Sequence, residues 1–94
     1  MDTTRQAHRS DPRRAVRAVY AAVSVLHHAP RSPHVARAIS SASSAVGGLP
    51  TGVLSEALYR LLGTIEDCHR AGTATSTRLD ERCRAVAAAV RLAR

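Results

Sequence analysis

Six histidine and cysteine side chains are the groups in this sequence best suited to metal or redox chemistry. Thiolate and imidazole are ligands that zinc, copper and nickel accept. Their spacing along the chain matches no standard zinc-binding pattern, so the fold would have to assemble a site. The alternative is that the cysteines are buried thiols and the histidines lie on the surface. The six residues are His27, His28, His34, Cys68, His69 and Cys83.

Residue pairs that could support catalysis are isolated in this chain. Glu66 and His69 have the Glu-x-x-His spacing of carboxylate-bridged di-metal bundles, but the sequence contains no second copy of it. Gly47 and Gly48 lack the lysine and the spacing of a phosphate-binding loop. We therefore expect no catalytic residues, no cofactor and no enzymatic activity.

Arginine carries the positive charge of the chain. The sequence contains 14 arginines, no lysine and 7 acidic residues, which give a net charge of +7. It has no zinc-finger spacing, no basic zipper and no aromatic platform for stacking bases. The arginines could have a function in anion binding. The alternative is that their number only reflects a GC-biased genome. The stripe that could neutralise nucleic-acid phosphates consists of Arg5, Arg9, Arg13, Arg14 and Arg17.

The apolar residues of the chain are mostly small. There are 18 Ala, 9 Val, 8 Leu and 2 Ile but no Phe or Trp, and Tyr20 and Tyr59 are the aromatic residues. Alanine favours helices and lets helix axes approach closely, whereas sheets favour β-branched and aromatic residues. The composition therefore predicts an all-α domain with a modest core.

Apolar residues recur with the period of an α-helix in four segments. The segments are residues 12–28, 33–46, 51–70 and 77–93. A residue type that caps helices stands at or immediately before the start of each segment, and Gly72 is expected to end the third. The expected N-terminal caps, in chain order, are Asp11, Ser32, Thr51 and Thr77.

Short loops between these helices favour antiparallel neighbours. We predict a compact antiparallel four-helix bundle, ordered up-down-up-down, as a single domain of residues 11–94. A flexible basic arm of residues 1–10 precedes it, and an intertwined or dimeric arrangement is the alternative. This topology places the six histidine and cysteine residues at one pole of the bundle.

Cysteine usage and hydropathy predict where the protein works. Two cysteines in a chain without a recognisable export signal favour a reducing, cytoplasmic location. No apolar stretch approaches the roughly 20 residues of a membrane span, so we expect no membrane partner.

The leading functional hypothesis is a small non-enzymatic protein–protein interaction module. Ala85, Ala88 and Leu92 lie off the main apolar stripe of the fourth helix and form a candidate partner-binding face. The expected partner is a second copy, in a homodimer, or another protein. The first alternative is an accessory nucleic-acid-binding or regulatory protein that uses the arginine stripe. The second is a metal or redox sensor at the histidine and cysteine pole.

Overall fold

A computed structural model describes residues 11–93 as an all-α helical bundle. These residues form four helices and no β-strand, which confirms the predicted fold class. The predicted arm of residues 1–10 lies outside the described residues. The helices are α1 (Pro12–His28), α2 (Pro33–Gly47), α3 (Val53–Ala71) and α4 (Thr77–Ala93).

The first two helices begin at the residues that the sequence predicts. The Asp11 carboxylate accepts the backbone N–H groups of Arg13, at 3.1 Å, and Arg14, at 3.3 Å. The Ser32 hydroxyl accepts the backbone N–H of His34 at 3.1 Å. Each cap satisfies N–H groups that have no partner inside the helix, and the following proline needs none.

The caps predicted for the last two helices are wrong by one residue each. Gly52, rather than Thr51, precedes α3, and its N–H donates to the Ser55 hydroxyl at 3.1 Å. Before α4 the Ser76 hydroxyl accepts the backbone N–H of Leu79 at 3.0 Å, so Thr77 is the first helical residue. Neighbouring residues of similar capping ability make such one-residue errors unavoidable from sequence.

Helix α3 is the centre of the bundle. It packs against α1, α2 and α4, whereas the backbone of α4 lies close to that of α3 alone. Helices α1 and α2 also pack closely against each other. Because the connecting loops 29–32, 48–52 and 72–76 are short, consecutive helices run antiparallel.

One cluster of buried apolar side chains joins the four helices. It consists of small and medium-sized residues, as the composition predicts. No helix within residues 11–93 combines the length and the hydropathy needed to cross a lipid bilayer. The largest fully buried side chains are those of Val19, Leu26, Val35, Val46, Leu58, Leu61, Ile65, Leu79 and Val86.

Candidate functional site

The arginine stripe lies on the exposed side of α1, as far as the structure describes it. Arg13, Arg14 and Arg17 are all exposed, while Arg5 and Arg9 lie outside the described residues. No acidic residue occurs in the sequence between positions 12 and 55, which covers α1 and α2 completely. This half of the bundle is therefore uniformly cationic.

Three of the six histidine and cysteine side chains have hydrogen-bond partners, and none of these partners is another histidine or cysteine. The Nδ1 atom of His69 is 2.7 Å from the Pro30 carbonyl oxygen, so the end of α3 is joined to the α1–α2 loop. The Nδ1 atom of His28 is 3.1 Å from the Ser24 carbonyl oxygen. The buried Cys68 thiol donates to the Ser76 hydroxyl at 3.8 Å.

These side chains do not come together as metal ligands. Within residues 11–93, no group of three or more His, Cys, Asp or Glu side chains is placed to hold a metal ion. Three of the candidates are exposed, whereas Cys68 is buried. The exposed candidates are His27, His28 and His34.

Cys83 is half-buried beside Tyr20. The Tyr20 hydroxyl donates to the Cys83 carbonyl oxygen over a long distance of 3.5 Å. Burial raises the pKa of the Cys83 thiol, and the nearby Asp80 carboxylate raises this pKa further. Burial, and secondly Cys83, raise the pKa of Tyr20. A thiol with a raised pKa carries less thiolate at neutral pH, which is the opposite of what a redox sensor needs.

The Cys83 thiol is expected to react slowly in the folded protein. In a Cys68→Ala background, iodoacetamide should alkylate Cys83 more slowly at neutral pH in buffer than in denaturant, because burial disfavours the thiolate. The rate follows from the loss of free thiol with time. Faster alkylation of the folded protein would reveal an activated thiolate and restore the redox-sensor alternative.

The predicted partner-binding face of α4 is accessible but nearly flat. Ala85 is exposed, Ala88 is half-buried, and Leu92 is 79% exposed. On a helical wheel these three residues lie opposite Val90. A single large side chain among alanines offers little apolar area, so this face is the weaker of the two candidate interaction surfaces on α4.

The other candidate surface is the gap between α1 and α4, whose backbones do not pack closely; we call this gap the seam. No Cα atom of α1 lies within 8 Å of a Cα atom of α4. Packed helices have axes about 8–10 Å apart, which brings their nearest Cα atoms much closer than this. The Tyr20 side chain reaches across the seam to the backbone of Cys83. Near Pro12 and Ala93 the seam contains a hollow.

This hollow, which we call the trough, has a volume of about 590 Å³ and is open to solvent. Leu54 of α3 forms its floor. Val16 of α1 and Val90 of α4 form its two apolar walls, and both side chains are half-buried. The residues that line the trough are Pro12, Arg13, Val16, Arg17, Leu54, Val90 and Ala93.

A second hollow continues the trough over the end of the bundle. Its volume is about 290 Å³, and it shares Pro12, Leu54 and Ala93 with the trough. Leu49 and Pro50 of the α2–α3 loop supply its remaining apolar lining. The combined surface is a continuous apolar groove with arginines on its α1 side.

The sequence does not predict this groove, because Val16 and Val90 follow the same helical period as the core residues and are only partly buried against the core. Their periodicity is that of a buried stripe, but whether two helices of a bundle meet depends on distances that periodicity does not contain. No local sequence signal on α4 marks the open seam, because Ala85 and Ala88 lie on the side of the helix opposite Val90.

Within residues 11–93 no histidine side chain is hydrogen-bonded to a serine, threonine or cysteine side chain. The described residues thus assemble no pair of the kind that activates a nucleophile. No protein-family model, curated protein or solved structure matches the chain.

Proposed function

We propose that this protein is a protein–protein interaction module whose trough binds the apolar face of an amphipathic helix from another polypeptide. The observation that carries the proposal is the open α1–α4 seam with apolar side chains on both walls. A helix laid in a groove between two others, anchored by side chains at i, i+3 and i+4, is a recurring mode of recognition.

Burial of the trough walls supplies the driving force. Val16 and Val90 are half-buried in the free protein, so an occupant can remove further apolar surface from water. Complete burial of a valine is worth about 1.5–3 kcal/mol relative to full exposure, and half-buried residues retain part of that gain. The floor residue Leu54 and the adjoining hollow extend the contact.

Charge favours a different polypeptide over a second copy of this chain. Two copies meeting trough to trough would bring together Arg13 and Arg17 from each, and these residues lie on a helix without acidic residues. Residues 1–10 contain two arginines, Arg5 and Arg9, and one acidic residue, Asp2. Their net charge is therefore positive, like that of Arg13 and Arg17 at the trough. The expected homodimer is therefore retained as an outcome to be tested.

A display selection tests the proposal. The library consists of helical peptides with a fixed stripe of Leu and Ala and random residues on both flanks. The baits are the wild-type protein, the double variant Val16→Asn with Val90→Asn, and the control Val53→Asn. Val53 is 64% exposed and lies outside the trough, so the control makes a valine-to-asparagine substitution that leaves the trough walls unchanged.

We expect peptides that bind the wild type and the Val53→Asn control equally, and the double variant about tenfold or more weakly. Circular dichroism checks that the double variant remains folded. Recovery of no peptide, or of peptides that bind all three baits alike, would refute the trough as the binding site. Sedimentation at several concentrations tests the homodimer, which requires a concentration-dependent mass.

A further inference from the structure

We infer that the partner helix carries carboxylates on one flank, spaced i and i+4, which pair with Arg13 and Arg17. The inference rests on the proposed function and names the chemistry of the partner. Its basis is the one-sided charge of the trough, in which the arginines belong to α1 and the α4 wall consists of Val90 and Ala93.

Arg13 and Arg17 are placed to act together. They are four residues apart on α1, so they lie on the same side of the helix with a rise of about 6 Å between them. Both are exposed and both line the trough. Two carboxylates at i and i+4 on a helix alongside α1 have the same spacing, so each faces one arginine.

The described residues do not neutralise these two arginines. The ion pairs of residues 11–93 join Arg60 to Glu56 and Arg70 to Asp67, both on α3. The nearest acidic residue in the sequence, Asp11, uses its carboxylate to cap the backbone of α1. Within residues 11–93, Arg13 and Arg17 therefore have no ion pair that a partner carboxylate would need to displace. A guanidinium group can bind such a carboxylate through two hydrogen bonds.

The combination of charge and apolar surface favours an acidic helix over nucleic acid. A phosphate backbone would engage Arg13 and Arg17 but would leave Val16, Leu54 and Val90 uncovered. An amphipathic helix with an acidic flank covers the apolar walls and the arginines at the same time. The nucleic-acid alternative therefore becomes an outcome of the test.

The test uses one peptide recovered in the selection, synthesised in two forms with Glu or with Gln at two flank positions, i and i+4. Affinities are measured by fluorescence anisotropy at low and high salt for the wild type and for Arg13→Gln with Arg17→Gln. The matched control is Arg37→Gln, an exposed arginine of α2 outside the trough.

We expect the Glu peptide to bind the wild type about three- to thirtyfold more tightly than the Gln peptide at low salt. High salt and the double arginine variant should both remove this difference, and Arg37→Gln should retain it. Equal affinities of the two peptides for the wild type would overturn the inference while leaving the trough as the binding site.

A second arm separates the nucleic-acid alternative. A labelled DNA duplex of arbitrary sequence is titrated with the same variants at near-physiological salt. We expect no binding under these conditions. Duplex binding that persists there and disappears in the double arginine variant would assign the arginines to phosphate instead and overturn the acidic-helix inference.

Discussion

Replacement of Leu61 by alanine is expected to lower the free energy of unfolding by about 2–5 kcal/mol. Leu61 is completely buried on α3, the helix that contacts all the others. The chain has no Phe or Trp with which to fill the cavity, and its core is largely alanine and valine. Since small domains are stable by only about 5–15 kcal/mol, this loss removes a large fraction of the total.

Leu92→Ala is the matched control for this prediction. It makes the same substitution on a side chain that is 79% exposed, so its effect should stay within about 0.5 kcal/mol. Urea unfolding followed by circular dichroism measures both variants. Equal effects of the two substitutions would contradict the central position of α3 in the core.

The second large effect is expected at the C terminus of α3, where Gly72→Ala should destabilise the protein by about 1–2 kcal/mol. Gly72 has a φ of 73°, in the left-handed region, and its N–H donates to the His69 carbonyl oxygen at 3.1 Å. A Cβ atom added there would also lie 2.6 Å from the Arg31 guanidinium carbon. The backbone strain acts even if the flexible arginine moves away.

Gly63→Ala is the matched control, and its effect should have the opposite sign. Gly63 lies within α3, is exposed, and has no atom within 4 Å of an added Cβ. Alanine should therefore raise the free energy of unfolding by about 0.5–1 kcal/mol, because glycine is a poor helix former. Shifts of the same sign in the two urea midpoints would contradict the assigned backbone conformations.

The helices could be predicted because their signals are local. The Asp11-Pro12 and Ser32-Pro33 pairs start α1 and α2, and Gly72 ends α3, each through hydrogen bonds to residues a few positions away. The caps of α3 and α4 are each displaced by one residue from the predicted ones, because Gly52 and Ser76 stand beside threonines, which also occur at helix N-caps.

The candidate site could be predicted only in part, because it depends on how helices pack. The arginines of α1 were identified from their charge and spacing, but the trough beside Arg13 and Arg17 was not. It arises because α1 and α4 each pack against α3, while no Cα atom of α1 lies within 8 Å of a Cα atom of α4. The common pole of the histidines was inferred from topology, yet topology does not determine whether a side chain such as His34 points inward or outward.

The central claim is that the α1–α4 trough holds a helix from another polypeptide. The most direct test is a measurement of nuclear Overhauser effects between the methyl groups of the recovered peptide and those of the protein. The account predicts contacts from the peptide to Val16, Leu54 and Val90. Contacts confined to the opposite face of α4, at Ala85, Ala88 and Leu92, would contradict it.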